Sequence, residues 1–428
     1  MRLFLLLPLP YFTRMRLIAC LAFSTFFIGQ CQSQFRPPQV EITPADTVNY
    51  DFIQQDANQI ENAAYLEPLL QKMYEQRVHG GKKISILHIG DSHIMGNYLT
   101  REVRARLQNA FGDGGRGLIF PYRVAGAWGP RDYLVETNTR WHGSNCNRVL
   151  TPESPFGVSG FSIQTNKSNA ELTFRLRDTA TSETRLFTKV TVFQHKTAYE
   201  YDIEVDDEVS GQKAELFMED PYSRSYYFNR PVSQATVRAR KLTSQQLRLT
   251  LDGVSLENEL SGIVYHSLGV NGAKFNDFVR AKYFARQAAE LAPDLIIISF
   301  GTNEAQGKIE ATSLRRSIQK LIDNLHEYSP NALILLTTPA DSYLRGKSFN
   351  PNIADLSAVI KKFARDKGYA LWDLHHISGG EKSAQHWKSN GLMTSDSVHY
   401  TRFGYAAQGK LFFQSLIKAY NSHAAAKP

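Results

Sequence analysis

Cysteine is scarce. The 428-residue chain holds three, and two of them, Cys20 and Cys31, fall within the first 34 residues. Only Cys146 remains beyond that stretch, which excludes an intrachain disulfide there and a cysteine-built metal cluster. Long apolar runs are missing after the N-terminus, so no later segment reaches the roughly 20 residues that a membrane helix needs. No stripe of lysine and arginine is concentrated enough for a nucleic-acid footprint. Phe111-Gly112-Asp113-Gly114-Gly115-Arg116-Gly117 is rich in glycine but has no Gly-Lys-Ser/Thr ending and no strand before it. That excludes a phosphate loop and reads as a flexible turn. No long apolar lid or acyl-groove pattern is present, which argues against a lipase.

What is present suits a globular protein with a sizeable core. Hydrophobic residues make up 42% and charged residues 21%, over a length that accommodates two domains. The first 34 residues read as an export leader. Initiation at Met15 gives the tidier signal, with Arg16, the apolar run Leu17 to Gly29 and polar residues from Gln30. Ile28-Gly29-Gln30-Cys31 is placed like a lipid-attachment box, with Gln30 atypical before the cysteine, so lipid anchoring stays open. The formal charge is +8, of which Arg2, Arg14 and Arg16 in the leader supply three, leaving a mildly basic +5 that suits an anionic envelope polymer.

The chain is organised around Ile84-Ser85-Ile86-Leu87-His88-Ile89-Gly90-Asp91-Ser92-His93. A β-branched run ends in Gly-Asp-Ser, and a helix-compatible segment follows from Asn97 to Ala110. This predicts a strand turning sharply into a helix, with Ser92 exposed at the strand's carboxyl end and its N–H near a helix N-terminus. Taken alone, Asp91-Ser92 reads first as an ordinary helix cap. Upstream, Asp56 to Arg77 has helical apolar spacing. Trp128, Trp141 and His142 either line a cleft or pack as ordinary aromatics.

From Asn145 to Ser261 the texture changes to short β-rich runs separated by Gly, Asn, Asp and Ser clusters, which predicts a β-sandwich. Tyr222, Tyr226, Tyr227 and Phe228 within it form either a sugar-stacking platform or sandwich packing. An α/β rhythm then returns, with strands at 263–268, 295–300, 332–337 and 370–374 and helices at 275–291, 311–328, 351–367 and 402–420. That alternation predicts a parallel sheet with helices on both faces and a site at the strands' carboxyl ends. The expected organisation is a leader (1–34), a linker (35–50), a first α/β part (51–144), an inserted β-sandwich (145–262) and a second α/β part (263–423).

The predicted strand ends carry Gly90-Asp91-Ser92-His93, Gly269-Val270-Asn271-Gly272-Ala273 and Gly301-Thr302-Asn303-Glu304, and Asp396-Ser397-Val398-His399 precedes the last helix. They bring a hydroxyl, a glycine N–H, a carboxamide and an Asp/His pair towards one sheet edge. The four loops resemble the blocks of the SGNH branch of GDSL-type esterases, over residues 51–143 and 263–423. Ser92, Gly272, Asn303 and His399 match the invariant positions. Two departures are His93, where many members have leucine, and Glu304, where many have aspartate. Gly-Asp-Ser-His and the β-rich insert are similar to the bacterial peptidoglycan O-acetylesterase subgroup, in which a carbohydrate-binding-module-like domain interrupts the hydrolase.

The resemblance implies a three-layer αβα, flavodoxin-like SGNH hydrolase fold interrupted by the β insert. It also implies an exported carbohydrate O-acetylesterase. Ser92 would be the nucleophile, His399 the general base and Asp396 its orienting partner, with an oxyanion hole from Ser92, Gly272 and Asn303. Asp91 would shape the turn and Glu304 buttress the site. No metal or cofactor is required. The expected partner is an O-acetylated glycan, with no nucleic acid, and the oligomeric state is undetermined. Alternatives are another acetylated polysaccharide, acetyl transfer instead of hydrolysis, or a glycan-binding protein with a vestigial site.

Overall fold

The apolar runs expected as buried strands pair into one parallel sheet in the order Gly262–Gly269, Lys83–Gly90, Leu295–Ser299, Leu333–Thr337, Ala370–Trp372. This is a computed structural model that describes residues 38–148, 155–177 and 186–427. The expected leader lies outside the described residues.

The sheet is covered on both faces, and side chains along a strand alternate between them. In Leu295–Ser299, Leu295 and Ile297 enter a core with Leu69 of helix Glu67–Val78, Val103 of Tyr98–Phe111 and Leu416 of Arg402–Ala425. Ile296 and Ile298 enter the opposite core, with Ile318 of Ala311–Tyr328 and Ile360 of Asn352–Lys367. Each fully buried isoleucine contributes about 1.5–3 kcal/mol. Strands filled this way have no polar face, which is why they read as continuous apolar runs. The result is the three-layer α/β body expected from the sequence, with antiparallel β structure added to it.

The antiparallel part forms three sheets. One runs Glu215–Glu219, Ser223–Val232, Phe187–Phe193, Gly253–Glu257, Gly115–Ile119. A second runs Tyr133–Thr137, Glu171–Leu176, Gln234–Arg240, Asp202–Asp207, Gln212–Lys213. A third pairs Leu249–Leu251, Phe161–Thr165 and His142–Asn145. These sheets begin at Gly115, upstream of the expected boundary at 145. The last three residues of the glycine-rich segment read as a flexible turn belong to strand Gly115–Ile119. Gly115 has φ +120°, and a Cβ there would lie 2.6 Å from the Cα of Glu257, so glycine permits the close pairing. The core of these sheets is continuous with one face of the parallel sheet: Leu87, Ile89 and Ile296 share a cluster with Phe174, Val190 and Val237.

Two helices differ from expectation. The 275–291 segment splits into Phe275–Val279 and Phe284–Ala289. The break follows from ties to the antiparallel part: Tyr283 N–H donates to Phe156 O (3.1 Å), and Gln287 Oε1 accepts from Val158 N–H (2.8 Å). Upstream, Asn62 adopts a left-handed conformation, a short 3₁₀ turn follows, and the helix proper begins at Glu67 with Pro68 in its first turn.

Candidate active site

The turn after Lys83–Gly90 is too tight for any residue but glycine at position 90, where a Cβ would sit 2.6 Å from Ser299 O and closer still to Ile94. Asp91 caps the short helix Ser92–Met95, its Oδ1 accepting from the His93 N–H (2.9 Å). Ser92 is the first helical residue, so its N–H has no intrahelical acceptor. Cap and candidate nucleophile coexist: Asp91 satisfies the turn and Ser92 is left pointing out.

Ser92 Oγ lies 2.9 Å from His399 Nε2, and His399 Nδ1 lies 2.7 Å from Asp396 Oδ2. A carboxylate only accepts, so the proton sits on Nδ1 and Nε2 is free to accept from the serine hydroxyl. The loop carrying the pair is held by its own contacts. Asp396 Oδ1 accepts from Thr394 Oγ1 (2.6 Å) and from the N–H groups of Val398 and His399 (2.9 Å each). Ser397, at φ +56°, lets the loop turn that tightly, and its hydroxyl accepts from Lys388 Nζ (2.6 Å). Partial burial pushes the Asp396 carboxyl upward, but the hydrogen bonds from Thr394, His399 and Val398 outweigh it and hold it well below the usual carboxylate range.

His93, the departure from the usual leucine, lies beside the base. Its ring stacks on that of His399, centroids 5.2 Å apart and planes 30° from parallel, and its Nδ1 is 3.0 Å from Tyr405 Oη. Burial pushes His93 down to about 3, so it is a neutral ring that supports His399 without competing for the proton.

Asn303 is joined to the nucleophile turn. Its Nδ2 donates to Asp91 Oδ2 (3.1 Å) and to Ala273 O (3.0 Å). Gly272 lies one residue before Ala273, in the turn after Gly262–Gly269, with φ +77°, and a Cβ there would approach Asn147 Nδ2 to 2.9 Å. The structure therefore gathers Ser92, His399 and Asp396 in one hydrogen-bonded series and fixes Asn303 beneath it. Gly272 sits at the end of the adjacent strand.

Two carboxyls lie under the site, Asp91 buried and Glu304 half-buried. Burial raises Asp91 to about 7, and burial together with the nearby Asp91 charge raises Glu304 to about 7. Glu304 Oε1 accepts from the Phe275 N–H (2.8 Å), while Oε2 has no partner among the described residues. A carboxyl whose native pKa exceeds its unfolded value keeps a proton that the unfolded chain releases. Stability therefore falls as pH rises from about 4.5 to about 7. Glu304→Gln retains the acceptor for Phe275 and removes the ionisation. It is expected to exceed wild type in urea-unfolding stability at about pH 8, by about 1–3 kcal/mol, and to converge with it near pH 4. A difference independent of pH would show that Glu304 does not titrate in this window.

The triad opens on a cleft of about 1080 Å³. Trp128 lines it at 53% exposure. Trp141 is only 8% exposed and packs inside, its Nε1 donating to Thr137 Oγ1 (2.9 Å). Tyr226 and Phe228 are buried in the antiparallel core, so the tyrosine cluster resolves mainly into packing. Tyr98, Arg148 and Arg402 also line the cleft and were not singled out in the sequence. Arg402 carried a signal, three residues beyond His399.

Residues 238–407 match the model of the GDSL-like Lipase/Acylhydrolase family. The chain carries a GDSL-like lipase/acylhydrolase domain. The matched residues include Gly272, Asn303, Asp396 and His399. A solved structure of a peptidoglycan O-acetylesterase aligns over 85% of this chain and 98% of its own, with a TM-score of 0.68 and 21% identity, which shows the shared fold. A lipase/acylhydrolase from Enterococcus faecalis aligns over 37% of this chain and 77% of its own (18% identity, TM-score 0.30). A family two carbohydrate esterase from Cellvibrio japonicus aligns over 67% and 99% (13% identity, TM-score 0.28). No curated protein matches the sequence.

Proposed function

We propose that the protein is an exported serine esterase that removes O-acetyl groups from cell-envelope glycan, with peptidoglycan as the substrate class. The observation that carries this reading is the series Ser92–His399–Asp396, at 2.9 and 2.7 Å, opening on a cleft wide enough for a sugar chain. The fold shared with a peptidoglycan O-acetylesterase supports the choice of glycan, and the leader-like N-terminus supports export.

In this mechanism Ser92 Oγ attacks the acetyl carbonyl carbon while His399 Nε2 takes the hydroxyl proton. Asp396 holds the imidazolium that forms. The oxyanion is met by the N–H groups of Ser92 and Gly272 and by the Asn303 amide, which exchanges Asp91 or Ala273 for the new acceptor. Collapse breaks the bond to the sugar oxygen, which leaves with the proton from His399. Water, deprotonated by His399, then attacks the acetyl-serine and releases acetate.

The test is acetate release from O-acetylated peptidoglycan, acetylated xylan and an aryl acetate. The expected result is turnover of the aryl ester and a higher kcat/KM on peptidoglycan than on xylan. No release from any of the three overturns the esterase reading, and equal rates on the two polymers overturn the glycan class.

A further inference from the structure

The cleft is far larger than an acetyl group, and its walls have a definite chemistry. Trp128 stands on one side. Position 96 is a glycine, and a Cβ there would meet the indole Cη2 at 2.8 Å. The ring is thus seated against bare backbone and flanked by Tyr98, centroids 6.2 Å apart, yet is 53% exposed. An aromatic braced on one side and open on the other offers a flat apolar surface at low entropic cost.

Two exposed arginines, Arg148 and Arg402, line the same cleft. No ion pair among the described residues includes either one. The Arg402 guanidinium lies 4.6 Å from the centroid of the exposed Phe403 ring, a stacking that leaves its hydrogen-bonding edge free. Among the described residues Asp396 is the one carboxylate lining the cleft, and it is committed to His399, Thr394 and two backbone N–H groups. Among the described residues, therefore, two guanidiniums line the cleft without an acidic partner. Such groups favour a ligand that brings a carboxylate, which an arginine fork grips in two parallel hydrogen bonds.

We propose that this cleft is a subsite for O-acetylated glycans that carry a carboxylate: a sugar ring stacks on Trp128, and Arg148 and Arg402 take the carboxylate. The inference rests on the esterase reading above and narrows its substrate class. The carboxylate can belong to a peptide borne on the glycan or to a uronic acid in its backbone.

The experiment compares four esters on the full chain: O-acetylated peptidoglycan fragments with stem peptides, O-acetylated polygalacturonate, O-acetylated chito-oligosaccharide as the neutral glycan, and an aryl acetate. Wild type is expected to prefer at least one carboxylate-bearing glycan over the neutral one. That preference should fall about tenfold or more in R148Q/R402Q. It should also weaken when ionic strength is raised from about 0.05 to 0.5 M. Trp128→Ala should raise KM on glycans more than on the aryl ester. Preference for polygalacturonate over peptidoglycan upholds the subsite and places the carboxylate on the sugar. Equal kcat/KM on charged and neutral glycans, or a preference untouched by the double substitution, overturns it. The aryl acetate arm separates the two readings: no aryl ester turnover defeats the esterase itself, whereas turnover without charge discrimination defeats only the subsite.

Discussion

Ser92→Ala is expected to lower kcat on an aryl acetate by at least about 10⁴-fold, while leaving the fold and thermal unfolding close to wild type. The size follows from how completely the site is built for that hydroxyl. His399 is fixed from two sides, by Asp396 at Nδ1 and by the half-buried neutral ring of His93 on its face, so its Nε2 has one place to accept a proton. Removing Oγ leaves a positioned base with only water to activate. A 10⁴-fold loss corresponds to about 5.4 kcal/mol of transition-state stabilisation. Stability changes little because the one side-chain bond given up, to His399, borders an open cleft. Steady-state kinetics with circular dichroism on the same preparation makes the measurement. A residue of more than about 1% activity, or an acetyl adduct trapped on the variant, would show that the nucleophile lies elsewhere.

The parallel sheet and the grouping of Ser92, Asn303, Asp396 and His399 were legible in the sequence for related reasons. Buried parallel strands read as apolar runs, and the candidate site residues break the pattern, Gly-Asp-Ser and Gly-Thr-Asn at strand carboxyl ends and Asp-x-x-His just before the last helix. What escaped depends on contacts between distant segments. Ser92 and His399 are 307 residues apart, and nothing in the local pattern announces that the ring next to Ser92 will stack on the one it bonds. Gly115 and Gly117 read as a turn because glycine usually marks one, whereas here bare backbone lets the strand pack closely, Gly115 against Glu257 and Gly117 against His266 of the parallel sheet. The 275–291 helix has unbroken helical spacing and is interrupted only because the antiparallel part captures Tyr283 and Gln287. Trp128 and Trp141 are indistinguishable by residue type; Gly96 beneath one and Thr137 beside the other decide which faces the cleft.

Asp132→Asn is expected to cost about 3–5 kcal/mol of stability. Asp132 is buried between two buried arginines. Its Oδ2 accepts from Arg104 (2.8 Å), Arg116 Nε (2.7 Å) and Asn97 Nδ2 (2.9 Å). Burial alone would raise the carboxyl, but the Arg116 and Arg104 charges overcome it and lower it to about 2. With the native value below the unfolded one, the stabilisation is complete above about pH 4 and is lost as pH falls towards 2. An asparagine removes the charge and turns an acceptor into a donor, leaving two desolvated guanidiniums without compensation. The loss also reaches the site. Asn97 sits in a left-handed conformation at the junction between the Ser92–Met95 turn and helix Tyr98–Phe111. Its Oδ1 accepts from Thr100 (2.8 Å) and from Ser267 (3.3 Å) on the neighbouring parallel strand. Arg116 brings in the antiparallel part through strand Gly115–Ile119. One carboxylate therefore ties the nucleophile turn, the parallel sheet and the added β structure together, so kcat should fall in Asp132→Asn even where the protein remains folded. Urea unfolding near pH 7 supplies the measurement, with Glu204→Gln in the exposed Arg240–Glu204 pair as the control, expected to lose less than about 1 kcal/mol. Equal losses in the two variants would mean that burial of the Arg104–Asp132–Arg116 cluster contributes nothing special. Replacing all three by apolar residues should recover part of the deficit, because the penalty comes from stranded charge and not from missing volume.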